Sequence, residues 1–140
     1  MNNFKIFPHG VLPDGRKIPL ISEWERNASA DPAQHKLWVE QFGERIKGWA
    51  LPVGLNGLYA LDIDVKDGRN GFEYLKSKGL ELPQTAWQQS PSGGVHLFFK
   101  DDPSLNLKNT VNRETGLDTR GNGGFVWLYQ PHLEIPLYLS

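Results

Sequence analysis

The spacing of apolar side chains divides this 140-residue chain into short strands, two helices and many turns. Phe4, Ile6 and Phe7 mark a first strand over residues 4–7, and residues 17–20 (Lys-Ile-Pro-Leu) a second. Pro8, Gly10, Pro13 and Gly15 between them read as turns. Asp31-Pro32 starts a helix: the aspartate can accept from exposed first-turn amides, and proline suits the first helical position, where its missing N–H costs nothing. That helix is expected to reach Phe42 and stop at Gly43, with Leu37, Trp38, Gln41 and Phe42 deciding its buried face. Residues 49–51 and 58–64 read as strands around a turn at 54–57. A shorter helix over 71–78 ends at Gly79, which suits a left-handed cap. Two hairpins follow: 85–90 with 95–100 across residues 91–94, and 117–120 with 125–129 across residues 121–124. The expected class is α+β, a mainly antiparallel sheet with helices on one face.

Composition narrows the function. Hydrophobic residues at 39% and charged residues at 22% are ordinary for a globular domain and exclude strong disorder. Fifteen glycines and ten prolines fit the turn-rich pattern. The absence of cysteine removes disulfides, thiolate zinc sites and thiol catalysis, and it fits a reducing, cytoplasmic setting. No apolar run approaches the roughly 20 residues of a membrane span. No apolar segment of a secretory signal follows the first residues. Fifteen basic against sixteen acidic residues leave a net charge of −1. Duplex DNA is usually held by a basic surface, so contact with nucleic acid must be local, weak or metal-assisted.

Three segments carry chemistry. In Leu61-Asp62-Ile63-Asp64, strand alternation turns both carboxylates to one face and Tyr59, Leu61 and Ile63 to the other. Two such acids repel unless a cation or proton lies between them, and oxygen donors suit Mg²⁺ or Mn²⁺. A strand end emerging into solvent would carry the same residues. The second segment is Ser92-Gly93-Gly94-Val95-His96. A Gly-Gly turn exposes amides that can cradle phosphate, with the Ser92 hydroxyl beside them; a tight hairpin also needs such glycines. His96 shares a strand face with Phe98 and Lys100. The third is Gly116-Leu117-Asp118-Thr119-Arg120-Gly121, in which Asp118 and Arg120 share a face. Taken alone it also reads as a decorated surface hairpin.

In this order the three segments resemble the N-terminal bifunctional primase–polymerase (Prim-Pol) domain of the archaeo-eukaryotic primase superfamily, typical of phage and plasmid replication proteins. Asp62-Ile63-Asp64 matches its first motif, Ser92 to His96 its second, and Leu117-Asp118 with Arg120-Gly121 its third. Lys17, Pro19, Leu20 and Trp24, then Asp31-Pro32 with Trp38, and Leu51-Pro52-Val53-Gly54 match its flanks, so the similarity runs from about Gly10 to Pro131. In that family more chain usually follows the third motif, so residues 1–140 read as one Prim-Pol domain that is excised, a stand-alone minimal version, or truncated at its C-terminus.

The resemblance implies an RRM-like catalytic core and primase or DNA-polymerase activity, a nucleotidyl transfer with two metal ions on a single-stranded DNA template. Asp62, Asp64 and Asp118 would hold Mg²⁺ or Mn²⁺, and with His96 they form the expected catalytic set. Ser92, Gly93, Gly94 and His96 would bind the nucleotide triphosphate; strand alternation, not the resemblance, adds Lys100 and Arg120 as candidates to neutralise it. Lys108 and Arg113 could touch template phosphates or be plain surface charge. Exposed members of Trp24, Trp49, Trp87 and Trp127 could stack bases. A replicative helicase is an expected partner and a membrane is not. The alternative is a weak or inactive nucleotide- or DNA-binding module on the same scaffold.

Other readings fit less well. A haloacid-dehalogenase-type phosphatase needs a later glycine-led acid cluster that residues 99–103 lack. A rolling-circle nickase needs two histidines separated by one residue, and His96-Leu97-Phe98 has one. A glycosyltransferase fold needs a longer chain.

Overall fold

The computed structural model describes residues 4–66, 68–112 and 114–129. The expected template contact of Arg113 and the part of the sequence similarity beyond Tyr129 therefore lie outside the described residues. Strands β1 (Phe7–Val11), β2 (Lys17–Pro19), β3 (Gly48–Pro52) and β10 (Phe125–Leu128) form one sheet in the order β10-β3-β1-β2. Strands β4 (Leu58–Ile63), β7 (Ala86–Gln89), β8 (Val95–Lys100) and β9 (Leu117–Arg120) form a second in the order β7-β8-β4-β9. A ribbon of β5 (Val65–Lys66) and β6 (Arg69–Asn70) extends beyond β4. Every strand pair is antiparallel. Helices α1 (Trp24–Asn27), α2 (Pro32–Phe42) and α3 (Gly71–Ser77) complete an α+β architecture.

Alternation along the second sheet builds two apolar layers. Leu58, Ala60, Ala86 and Phe98 face the first sheet and pack with Leu51, Val126 and Leu128. Ile63 and Leu97 face the other way and pack with Leu75 and Phe72 of α3. The second sheet is thus covered by a helix on one side and by another sheet on the other. At about 25 cal/mol per Å² of apolar area removed from water, such double coverage is a main source of stability.

The α2 boundaries agree with the sequence pattern: the Asp31 side chain accepts from the Ala33 amide at 2.9 Å, and Gly43 ends the helix. Its buried face differs. Leu37 is exposed, and Trp38 alone is buried, against His35 and Trp49. Neighbouring helical positions lie about 100° apart, so a narrow contact buries only one of them. The α3 helix and the β7–β8 hairpin also lie where expected, with Gly79 at φ 68°.

Three expectations are corrected. The first strand starts at Phe7 and continues through Pro8 and Gly10, while Ile6 makes an isolated bridge with Ser29. Pro8 is tolerated because its carbonyl accepts from the Leu20 amide beyond the end of β2, where no donor from Pro8 is required. Strands β3 and β4 do not pair across residues 54–57; they enter different sheets. The expected last hairpin does not form either, because β9 pairs with β4 and β10 with β3. The Gly-rich segment 121–124 is a crossing between sheets.

Among the described residues, no helix is long and apolar enough to cross a membrane.

Candidate active site

One row of side chains crosses the second sheet. Gln88 on β7 lies opposite His96 on β8, His96 opposite Asp62 on β4, and Asp62 opposite Asp118 on β9. Directly paired residues share a face, so register alone brings these four together. Two residues along β4 on the same face, Ala60 is completely buried in the inter-sheet core. The polar row begins where that apolar packing ends.

Asp64 follows the last residue of β4. Its amide donates to the Gly116 carbonyl at 2.8 Å, and its own carbonyl accepts from the Gly71 amide at 2.9 Å. These bonds tie the ends of β4, α3 and β9 into one junction. Glycine is required there by space: a Cβ on Gly94 would lie 2.5 Å from the Ile63 carbonyl oxygen, and one on Gly71 would lie 2.7 Å from the Gly116 carbonyl. Gly94 therefore lets the β7–β8 turn close against the strand that carries the acids.

One carboxylate oxygen from each of Asp62, Asp64 and Asp118 lies within 4.8 Å of the others. The Asp62 and Asp64 side chains are 22% and 13% exposed, so the cluster is sheltered yet reachable. Burial, reinforced by the Asp62 charge, raises the Asp64 carboxyl above the usual carboxylate range, with Lys66 and Arg69 opposing. The Arg69 guanidinium Nη1 lies 4.0 Å from Asp64 Oδ2. One Asp118 oxygen accepts from the Asn112 amide at 2.8 Å. The three acids, hard oxygen donors on two adjacent strands and at the end of one, fit a divalent cation of the Mg²⁺ or Mn²⁺ type.

His96 is buried, and its Nε2 faces Asp62 Oδ1 at 3.5 Å. Tyr129 enters from the end of β10, its ring 5.8 Å from the imidazole. Burial, then the charges of Asp62 and Asp64, push its hydroxyl above its ordinary value. The Lys17 amine of β2 lies over the Tyr129 and Trp127 rings, at 5.0 and 5.5 Å from their centres. Burial and the Lys66 charge lower its proton affinity. A cation is thus held on two ring faces, one of them the Tyr129 ring whose hydroxyl feels Asp62 and Asp64.

The remaining expected residues are placed differently. Lys100 is exposed at the far end of β8, opposite Leu58 and four residues from His96, well away from the polar row. The Arg120 Nη1 donates to the Thr110 and Thr119 carbonyls, so its guanidinium braces the loop before β9. The Gly93 amide donates to the Ser90 carbonyl inside its turn, which removes it from the set of open phosphate donors. The Ser92 hydroxyl shares a 3.1 Å hydrogen bond with Ser90 on the exposed rim. Lys108 is exposed. Trp24, Trp49 and Trp127 pack against other rings. Trp87 is exposed, beside an apolar cleft of about 700 Å³ lined by Phe72, Leu82, Val95 and Leu97 on the α3 side, the opposite face from the acids.

Sequence reasoning passed over Gln88, Tyr129 and the position of Lys17. Gln88 was hidden by the register: a turn at 91–94 would set Gln89 opposite His96, whereas the observed loop takes in Ser90 as well and sets Gln88 there. Tyr129 and Lys17 had no signal, since only the meeting of the sheets brings Tyr129 beside His96 and sets Lys17 over its ring.

Residues 1–134 match the family model for the N-terminal bifunctional DNA primase/polymerase domain. The chain belongs to that Prim-Pol family. A search of curated proteins finds no match. Membership connects the fold to primase/polymerase nucleotidyl transfer and to nucleotide and DNA binding as family properties. The triad of aspartates is an arrangement able to hold the metal such chemistry uses.

Proposed function

We propose that residues 1–140 act as one Prim-Pol domain that transfers nucleotides to a primer strand on a single-stranded DNA template. The observation that carries this reading is the convergence of three carboxylates from two chain segments within 4.8 Å. The reaction joins a primer 3′-oxygen to the α-phosphorus of a nucleoside triphosphate, breaks the bond to pyrophosphate and releases one proton.

Asp62, Asp64 and Asp118 would hold two divalent cations, Mg²⁺ or Mn²⁺. When bound, such a pair polarises the α-phosphate and stabilises the attacking and leaving oxygens. The chain's own residues do the rest. The acids are fixed by β4–β9 register and by the Asp64 backbone bonds, so the site is organised before substrate arrives. His96 directs Nε2 at the edge of the cluster, where it can donate to a phosphate oxygen. Lys17 supplies positive charge from the first sheet, and we assign to it the triphosphate role expected for Lys100 and Arg120. Ser92 and the Gly94 turn form the rim on the His96 side. A replicative helicase remains a fitting partner for this chemistry.

Primer extension on a single-stranded template with Mg²⁺ or Mn²⁺ tests the proposal. The parent should incorporate nucleotides, and Asp62→Asn should reduce incorporation by on the order of 10³-fold while remaining folded. Calorimetric nucleotide binding by the parent without turnover would replace the enzyme with a binding module. Unfolding of Asp62→Asn would give Asp62 a structural role.

A further inference from the structure

The chemistry of His96 is set by a residue outside the three motifs. Gln88 is only 2% exposed, and its carboxamide is held by the backbone of the opposite sheet. Its Nε2 donates to the Trp127 carbonyl at 2.7 Å, and its Oε1 accepts from the Tyr129 amide at 3.3 Å. A reversed carboxamide would set oxygen against the carbonyl and NH₂ against the amide. The end of β10 therefore dictates which way the group points. The second hydrogen of Nε2 is directed at His96 Nδ1, 2.8 Å away. A carboxamide nitrogen only donates, so Nδ1 must carry a lone pair. The ring proton of the neutral imidazole then resides on Nε2, the atom facing Asp62 Oδ1 at 3.5 Å. That distance is too long for a strong hydrogen bond, so the donor is not consumed.

We propose that Gln88 is a positioning residue that locks His96 in the Nε2–H tautomer, so that the ring presents a proton donor to the carboxylate cluster. The opposite tautomer would aim a lone pair at Asp62, adding repulsion and a nitrogen ligand to a cluster otherwise built from oxygen. With Nδ1 engaged and Nε2 protonated, His96 recognises an anionic oxygen, a phosphate on the reading above, and leaves cation binding to the three aspartates. The tautomer follows from the hydrogen bonds alone; only the identity of the anion rests on the proposed function. Two of the three bonds join β7 to the end of β10, which couples this choice to the contact between sheets.

Nitrogen NMR of metal-free protein labelled at its histidine nitrogens reads the tautomer directly, with His96 assigned by its loss in His96→Ala. The parent should show a protonated Nε2 and an unprotonated Nδ1. Gln88→Met, which keeps bulk and removes both polar atoms, should give a mixture of tautomers, and Gln88→Glu should move the proton toward Nδ1. A parent spectrum with the proton on Nδ1 overturns the proposal, as does an unchanged tautomer in Gln88→Met. Should neither variant fold, the parent still decides: the Gln88 carboxamide protons should exchange slowly with solvent, and rapid exchange overturns the proposal. In primer extension, folded Gln88→Met should lose about tenfold in kcat. If the spectra agree and the parent incorporates no nucleotide, the polymerase reading fails and the tautomer assignment stands.

Discussion

Each sheet buries a histidine, and the two are used differently. His9 in the first sheet is stacked edge-on against Trp127 at 4.7 Å, and its Nδ1 bonds the neighbouring Gly10 carbonyl at 3.2 Å. Burial holds its ring below the ordinary imidazole value. Its surroundings are Trp127 and the tightly packed backbone at Gly48, so it acts as a core aromatic with one satisfied polar edge. His96 in the second sheet also has one nitrogen satisfied, by Gln88, but its other nitrogen faces a carboxylate. The same residue type is structural where the sheet is closed over by rings and available where the apolar layer stops. On β4 that transition takes two residues, from buried Ala60 to partly exposed Asp62.

Substitutions on either side of this boundary should separate. The largest effect is the loss of incorporation in Asp62→Asn, with folding kept. Next is Phe98→Ala, two residues from His96 on the core-facing side. It should cost about 3–5 kcal/mol of stability by denaturant unfolding; a smaller cost, under about 1 kcal/mol, would mean that the sheets do not pack as described. Third, Mn²⁺ at about 100 times its dissociation constant should stabilise the parent by about 2.7 kcal/mol in thermal melts, and Asp118→Asn by much less. Equal stabilisation of both would place the cation elsewhere. Fourth, Lys17→Met should raise the KM for nucleotide about tenfold with little change in kcat. An unchanged KM would return the phosphate role to other cations.

The smallest effect concerns Asp64 in metal-free protein. Its folded carboxyl titrates above the usual range, chiefly through burial. The folded state therefore favours the protonated form, and stability is lost as pH rises through the raised value. Asp64→Asn removes that loss. It should raise the melting temperature near neutral pH by roughly 3 °C, and the gain should disappear on acidification below the ordinary carboxylate range. A gain that persists in acid would have another origin.

Much of the second sheet was legible in the chain. Asp62 and Asp64 alternate with apolar neighbours, and His96 alternates with Val95 and Leu97, so both faces could be read locally, although the β7–β8 register is one residue from the one a turn at 91–94 gives. The polar roles of Lys100 and Arg120 could not. Alternation puts both on faces shared with functional residues, but distance along β8 removes Lys100, and the Thr110 and Thr119 carbonyls capture Arg120. The last hairpin misled for a related reason. Two short strands around a glycine-rich turn satisfy every local rule for pairing, yet each finds a partner in a different sheet, where β9 extends the row of acids and β10 closes an apolar layer.

Local patterning by itself determined the α+β class, the capped α2 helix, the acid pair and the glycine–histidine turn, because these depend on period, cap chemistry and backbone freedom within a few residues. Tertiary structure decided that Asp118 stands beside Asp62, that Tyr129 comes up to His96 with Lys17 over its ring, and that Gln88 orients His96. Those juxtapositions depend on long-range strand pairing and on how two apolar layers close, and no short stretch of chain encodes such contacts alone.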